Sequence, residues 1–276
     1  MAEQRYSRNE GLFGAEGQAK IAATSVTIVG LGGLGSHVAQ QLAYLGTVTY
    51  ALVDFDVVTE SSLNRLVGAV DRDAAEGTKK IAVARRTIVA VKPNAMVLPI
   101  DTALADVEAE RAIARSDVVF GCLDRDIHRL ELTELCARYA KPYFDLATDT
   151  GGEDEDLVYG GRVVFSDGTR CLVCLPEVLN QKEIALDRMS PQQREADRRI
   201  YGVNRDALAD TGPAVVSING VVASLAVTEF MVQITGLRAA VPQLIYRAER
   251  GIVRVSLDQP SEGCYYCTGL WGNAHK

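Results

Sequence analysis

The chain has a shortage of basic residues, which limits the partners it can have. Its 276 residues include 29 lysines and arginines against 36 aspartates and glutamates, a formal net charge of −7. A domain built mainly to coat nucleic acid would carry the opposite sign. The composition therefore excludes nucleic acid as the main partner, and an anionic ligand has to bind in a local basic pocket.

The sequence also lacks an apolar leader and an anchored membrane span. Residues Met1–Glu10 are polar and contain no signal-peptide core. The longest apolar stretch, Ala214–Ile234, is interrupted by Ser217, Asn219 and Glu229 and has no basic anchors directly before it. We interpret it as a buried helix, and we expect a cytoplasmic protein with no membrane partner.

Cysteines are too few and too clustered for a secreted disulfide framework. The six cysteines include two CxxC pairs, Cys171–Cys174 and Cys264–Cys267, and none lies between Leu175 and Gly263. This spacing favours thiolate chemistry or metal binding in the cytosol. Apolar residues make up 47% of the chain, enough to bury a core unaided, and the length suggests one large domain or two small ones.

Strands and helices alternate along the first 150 residues. Short β-branched or apolar runs predict strands at 26–30, 47–55, 95–100, 117–121 and 142–146, and helical spacing predicts helices at 36–45, 77–91, 106–114 and 126–139. This order predicts an α/β fold with a doubly wound, Rossmann-like, mostly parallel sheet. Ligands of such sheets bind beyond the carboxyl ends of the strands, where Gly30–Gly35, Asp54–Asp56 and Cys122–Asp124 lie.

The pattern changes after residue 150. Residues 159–165 and 170–175 predict antiparallel strands about the turn Asp167-Gly168, and 244–249 and 252–258 predict a hairpin about Arg250-Gly251. Between them, the charged segment 179–210 predicts a long crossover. Antiparallel strands therefore complete the predicted sheet.

Gly30, Gly32 and Gly35 form a GxGxxG pattern between a predicted strand and a predicted helix. The pattern predicts a tight turn whose helix N-terminus faces a phosphate group. Asp54 follows 19 residues after Gly35, where a carboxylate can accept hydrogen bonds from ribose hydroxyls. These residues indicate a nucleotide, and proteins that use NAD, FAD, SAM or ATP all share such loops.

Two cations and a further carboxylate follow these loops. Arg65 ends the run Ser61-Ser62-Leu63-Asn64-Arg65, Lys80 opens a predicted helix, and Asp124 follows the strand at 117–121. Cations stabilise a transferring phosphate and a carboxylate holds Mg²⁺, whereas hydride transfer requires neither. The set therefore favours phosphoryl or nucleotidyl transfer over a nicotinamide or flavin oxidoreductase.

Taken in order, these motifs resemble the ThiF/MoeB/HesA family, the bacterial relatives of ubiquitin-activating enzymes. The resemblance begins near Arg5-Tyr6-Ser7-Arg8 and spans almost the whole chain, through Gly30–Ser36, Asp54–Asp56, Ser62–Arg65, Gly77–Lys80, Cys122–Asp124 and the two CxxC pairs. It implies an ATP-binding domain at 1–150. It also implies a region at 151–276 that carries the substrate tail, the crossover and a zinc clip, packed as one continuous domain.

The resemblance implies roles for single residues. Asp54 would bind the ribose, Arg65 and Lys80 would grip the triphosphate, and Asp124 would hold Mg²⁺ and orient the α-phosphate. Arg8 would reach into the ATP site of the partner subunit of a homodimer. The remaining implied nucleotide-binding positions are Gly30, Gly32, Gly33, Gly35, Asp56 and Ser62.

The implied reaction is attack of a C-terminal carboxylate on the α-phosphorus of ATP, which gives an acyl adenylate and pyrophosphate. The carboxylate is already ionised at pH 7, so the reaction needs no general base. Catalysis then consists mostly of positioning and charge neutralisation. In agreement, the motifs contain no histidine, and we interpret His37, His128 and His275 as structural or solvated.

The four paired cysteines, Cys171, Cys174, Cys264 and Cys267, can supply four thiolates to a structural tetrahedral Zn²⁺ site, which the resemblance also favours. Such a clip would close a loop of 89 residues. A thioredoxin-like redox role is the alternative. We interpret Cys122 and Cys136 as buried bystanders. Some family members carry a cysteine in the crossover that forms a thioester or persulfide, and this chain has none there.

Several substrates are compatible with the resemblance. The leading hypothesis is adenylation of a small ubiquitin-like or sulfur-carrier protein, whose glycine-ended tail would pass under the crossover at 179–213. The alternatives are adenylation of a ribosomal peptide and a non-catalytic partner subunit. Ser62 and Arg125 depart from the family, which usually has asparagine at both positions.

Overall fold

A computed structural model describes residues 4–151, 157–190 and 214–274. One sheet runs through both halves of the chain, with eight strands in the order β3-β2-β1-β4-β5-β6-β7-β8. The first five strands are parallel: β1 (Ser25–Val29), β2 (Thr49–Val53), β3 (Met96–Ile100), β4 (Val118–Gly121) and β5 (Tyr143–Gly151). The strand order reverses between β1 and β4, which confirms the doubly wound, Rossmann-like prediction.

Three antiparallel strands extend this sheet: β6 (Val158–Ser166), β7 (Gln243–Arg247) and β8 (Ile252–Val255). The predicted C-terminal hairpin is confirmed, with Leu244 opposite Val255 and Arg247 opposite Ile252.

The predicted strand at 170–175 is wrong. Residues 172–174 form a turn, and β6 pairs with β5 and β7 instead. The physical reason lies in the spacing of Cys171 and Cys174. Residues three apart on a strand point to opposite faces, whereas a turn brings both sulfurs to one side.

Helices cover both faces of the sheet. One face carries α2 (Gly33–Leu45), α4 (Lys80–Val91) and the long α8 (Val216–Thr235), and the other carries α5 (Val107–Arg115), α6 (Asp126–Arg138) and α7 (Gln181–Asp187). The rest of the predicted crossover, 191–213, lies outside the described residues. The predicted helix at 77–91 begins only at Lys80 and is preceded by α3 (Asp71–Glu76).

An N-terminal helix, α1 (Ser7–Ala23), was not predicted. It contains three glycines, and Gly14 has φ +73° inside the helix. Because glycine weakens the helical pattern, the sequence carried little signal for it. In the folded protein α1 packs against α8.

Helix α8 confirms the predicted buried helix. Its length and mean hydropathy of 1.4 would also suit a membrane span, but it packs against α1, α2, β5 and β6. The Glu229 carboxylate is buried on α8, where it accepts hydrogen bonds from Arg238 and from the Val241 N–H, each at 2.7 Å. Phe230 of α8 packs against Phe120 of β4, with ring centroids 5.6 Å apart.

Candidate functional site

The glycine loop forms the turn between β1 and α2. Gly30 has φ +86°, and a Cβ there would lie 2.6 Å from the Cys122 carbonyl oxygen. A Cβ on Gly35 would lie 1.9 Å from the carbonyl oxygen of Gly30. No atom of the described residues lies within 4 Å of the Cβ that Gly32 lacks. The loop therefore forms a tight turn with open space at the N-terminus of α2, which is the geometry of an anion site.

Asp54 fastens the loop after β2 to the glycine loop. Its Oδ2 accepts the Leu31 N–H at 2.6 Å, and its Oδ1 accepts the Asp56 N–H at 2.8 Å. Burial raises the pKa of Asp54, although these hydrogen bonds oppose the rise. Since Gly30 also contacts Cys122, the three strand ends that the sequence assigned to one crevice do meet there.

Lys80 and Asp56 form an ion pair at the start of α4. The Lys80 Nζ lies 2.7 Å from Asp56 Oδ2, and the Lys80 side chain is only 16% exposed. The backbone N–H of Lys80 also donates to the Asp56 carbonyl at 3.0 Å. Both residues thus lie beside Asp54, and Asp56 supplies the counter-charge of Lys80.

The segment after β2 places Arg65 beside the glycine loop. A Cβ on Gly33 would lie 3.4 Å from the Arg65 Cδ. The Arg65 guanidinium donates to the Ser61 carbonyl at 2.6 Å and to the Asn64 side chain at 3.1 Å. Ser62 is buried, and its hydroxyl lies 3.0 Å from the Thr59 hydroxyl.

Ser36 is a site residue to which the sequence assigned no role. Its hydroxyl donates to the Gly33 carbonyl at 3.0 Å and accepts the Val67 N–H at 3.0 Å. It therefore holds the segment that carries Arg65 against the first turn of α2. A serine in a glycine loop is too common a feature to reveal this contact.

Asp124 is exposed and lines a cavity of about 770 Å³. The cavity lies between the end of β5 and residues 177–183, and Arg162 and Lys182 also face it. Arg162 pairs with Asp149 at 3.1 Å and donates to the Val178 carbonyl at 2.8 Å. An exposed carboxylate of this kind fits the oxygen ligands that Mg²⁺ prefers.

The buried Arg129 holds the segment before Asp124 against β5. Arg129 donates to both carboxylate oxygens of Asp145, at 2.7 and 2.8 Å, and to the carbonyls of Leu146 and Leu123. Burial alone would lower the pKa of Arg129, but the Asp145 carboxylate more than offsets this and raises it. The residue before Asp124 is thereby fixed to β5.

Arg8 lies far from this crevice within its own chain. It is exposed in the first turn of α1. The adjacent Arg5 and Tyr6 contact the C-terminal end of α4, through the Val91 carbonyl at 2.9 Å and the Lys92 ammonium at 5.0 Å from the ring. Lys80 begins the same helix, whose 12 residues span about 18 Å.

The two CxxC pairs come together into one cluster. Their four sulfurs all lie within 4.8 Å of one another, with Cys171 3.8 Å from Cys174 and 3.6 Å from Cys264. Zn–S bonds of about 2.3 Å in a tetrahedron place neighbouring sulfurs about 3.8 Å apart. The Cys171 thiol donates to Cys174 and lowers the pKa of Cys174. The cluster therefore fits a structural zinc ion.

The other two cysteines lie outside the cluster: Cys122 is partly buried after β4, and Cys136 is buried on α6. Burial raises the pKa of both Cys122 and Cys136, so their thiols stay protonated at neutral pH. Of the histidines, burial lowers the pKa of His37, His128 pairs with Glu131 at 3.0 Å, and His275 lies outside the described residues.

Comparison with known proteins agrees with this geometry. The ThiF family profile matches residues 6–265. The molybdopterin-synthase adenylyltransferase of Escherichia coli (strain K12) is 31% identical over 182 residues, which make up 65% of this chain and 70% of that protein. The SAMP-activating enzyme E1 of Haloferax volcanii is 34% identical over 134 residues, 48% of this chain and 49% of that protein.

Solved structures show the same fold. The crystal structure of E. coli MccB with ATP superposes with a TM-score of 0.71 and 21% identity, over 96% of this chain and 74% of that one. The profile match, the curated relatives and the fold lead to one conclusion: the chain is a member of the ThiF family.

Proposed function

We propose that this protein is an ATP-dependent adenylyltransferase that activates the C-terminal carboxylate of a small ubiquitin-like or sulfur-carrier protein. The observation that carries the proposal is the meeting of three loops at the carboxyl ends of β1, β2 and β4. These loops would together offer ATP the open N-terminus of α2, the cations Arg65 and Lys80, and the exposed carboxylate of Asp124.

Each residue has a task in this reaction. The N-terminus of α2, Arg65 and Lys80 bind the phosphates of ATP and neutralise their charge. Asp54 orients the ribose, and Asp124 holds Mg²⁺, which supplies further positive charge when it is bound. The substrate carboxylate attacks the α-phosphorus, and the bond from the α-phosphorus to the bridging oxygen breaks. The products are an acyl adenylate and pyrophosphate.

The substrate tail occupies the cavity beside Asp124. This cavity opens between the end of β5 and residues 177–183, next to the expected position of the α-phosphate. A tail that ends in glycines would pass such a space without steric conflict.

The acyl adenylate is passed to a nucleophile from another molecule. Four of the six cysteines form the metal cluster, and burial raises the pKa of the other two. A thiolate suited to a thioester on this chain is therefore missing. The reduced cysteine cluster also agrees with a cytoplasmic location.

The active unit is a homodimer in which Arg8 of each chain completes the ATP site of the partner subunit. The distance between the Arg5–Tyr6 anchor and Lys80 along α4 supports a trans contribution over a cis one.

ATP–pyrophosphate exchange tests the proposed function. With a purified glycine-tailed carrier protein, the wild-type chain should catalyse exchange, and Asp124→Ala should lower the rate by about 100-fold or more, because a metal-holding charge is lost. Asp71→Ala, which removes an exposed carboxylate in α3, is the matched control and should retain full activity.

The substrate is identified in the same assay. Exchange with a short peptide but not with carrier proteins would replace the carrier hypothesis with peptide adenylation. Full exchange by Asp124→Ala would contradict the mechanism, and absence of exchange with every substrate would favour a non-catalytic subunit.

A further inference from the structure

Gly33 lacks a side chain because Asn219 occupies the space. A Cβ on Gly33 would lie 2.2 Å from the Asn219 Nδ2 and 3.4 Å from the Arg65 Cδ. Gly33 is the first residue of α2, whereas Asn219 lies in the first turn of α8, 186 residues later. An amide from the C-terminal half therefore reaches the N-terminal end of the phosphate-facing helix.

The fold does not use up the hydrogen-bonding capacity of this amide. Asn219 is only 1% exposed, yet its Oδ1 has no hydrogen-bond partner among the described residues. Buried amides without partners are costly and rare. Its Nδ2, a hydrogen-bond donor, faces Gly33 at the N-terminus of α2, so a phosphate bound there can accept from it, and the unpartnered Oδ1 is left for a donor of the bound complex.

The first turn of α8 is held firmly against α2. Helices α2 and α8 pack against each other. A Cβ on Gly220 would lie 3.3 Å from the His37 Cε1, so the two helices approach closely there. Asn219 is therefore presented to the glycine loop by a rigid contact between helices.

We infer that Asn219 is an ATP-binding residue, whose amide donates a hydrogen bond to the phosphate chain beside Arg65. The inference rests on the proposed function, because it assumes that ATP occupies this site. It makes α8, which belongs to the C-terminal half, part of the nucleotide site. Gly33 is then required for the approach of Asn219 rather than for the approach of ATP.

Calorimetric binding of ATP and of adenosine to the full chain tests this inference. Asn219→Ala should weaken ATP binding by about 10- to 100-fold, the value of a hydrogen bond to a charged group. Asn219→Asp should weaken it further, because a carboxylate would face the phosphates. Adenosine, which has no phosphate, should bind all three proteins equally.

Ser217 provides the matched control. It lies two residues earlier on the exposed side of α8, so Ser217→Asp adds the same charge to the same helix turn. Neither ligand should bind this variant differently from the wild type. A weakening of ATP binding in Ser217→Asp equal to that in Asn219→Asp would overturn the direct contact.

A double substitution distinguishes a direct contact between Asn219 and ATP from a general effect on folding. Gly33→Ala should weaken ATP binding by displacing the Asn219 amide, and in the Asn219→Ala background it should add little, because the obstructed group is gone. Additive losses would contradict the inference, as would equal losses of ATP and adenosine. If the wild type binds no ATP, the proposed function itself fails, whereas unchanged ATP binding in Asn219→Ala defeats this inference alone.

Discussion

At the scale of single residues, each glycine of the loop lacks a side chain for its own reason. Gly30 and Gly35 are needed for the turn, because a Cβ on either would overlap a backbone carbonyl. Gly32 borders open space where a ligand can bind, and a side chain on Gly33 would overlap Asn219. The glycines of this one sequence motif therefore serve three different needs: the turn, open space for a ligand and the approach of Asn219.

The Arg129–Asp145 pair yields a prediction at the same scale. Asp145→Ala removes the buried carboxylate from the guanidinium of Arg129, whose side chain is 5% exposed, and leaves it the longer contact with Asp126 at 3.4 Å. We expect the free energy of unfolding, measured with urea, to fall by about 3–5 kcal/mol.

The pair of the exposed Asp149 with the partly buried Arg162 is the control for this prediction. Asp149 is 60% exposed, so Asp149→Ala should cost about 1 kcal/mol or less. Equal losses of unfolding free energy in Asp145→Ala and Asp149→Ala would show that the buried pair stabilises the fold no more than the other pair does.

At the scale of elements, two turns far apart in the chain form one cluster of four cysteines. The turn at 171–174 follows β6, and Cys264 and Cys267 flank the start of a π-helical segment, Tyr265–Trp271, that packs against α6. Trp271 of this segment lies over Gly168, where a Cβ would come within 2.4 Å of the indole nitrogen. The cluster therefore joins the C-terminal segment to the end of β6.

Loss of one ligand should release the metal. We expect the purified wild type to hold one zinc ion per chain by atomic emission, and Cys264→Ser to lose it and to unfold at a lower temperature. Cys136→Ala, which removes a buried thiol outside the cluster, should keep its zinc. Retention of zinc by Cys264→Ser would refute the metal clip.

At the scale of the whole molecule, the sheet collects the candidate site from distant parts of the chain. Parallel strands β1, β2 and β4 end at one edge, and α8 closes over the glycine loop from the other half. Arg8 is the exception, because the N-terminus of the same chain is anchored at the opposite end of α4. The chain alone therefore leaves its proposed site without the N-terminal arginine.

Mixed dimers test this arrangement. Arg8→Ala and Asp124→Ala chains should each be inactive alone. After random mixing they should recover about a quarter of wild-type exchange activity, because one site of each heterodimer combines two intact residues. If mixing restores nothing, Arg8 does not act across a dimer interface.

Local sequence patterns were sufficient to predict most of the strands and helices. Strand and helix periods predicted the parallel sheet, and the C-terminal hairpin was recognised from its turn. Prediction failed at 170–175, where the need to bring Cys171 and Cys174 together outweighed the apolar run between them. It also missed α1, whose glycines hide a helix that is stabilised by packing against α8.

The limits of the sequence follow from distance along the chain. Short motifs with local chemistry predict a nucleotide and a metal from the sequence alone. These motifs are Gly30–Gly35, Asp54 and the two CxxC pairs. Three features depend on the folded chain: the approach of Asn219 to Gly33, the contact of Arg129 with Asp145 and Leu123, and the contact of Ser36 with Val67. They join residues whose separation carries no periodic or spacing signal, so packing of helices on the sheet alone brings them together.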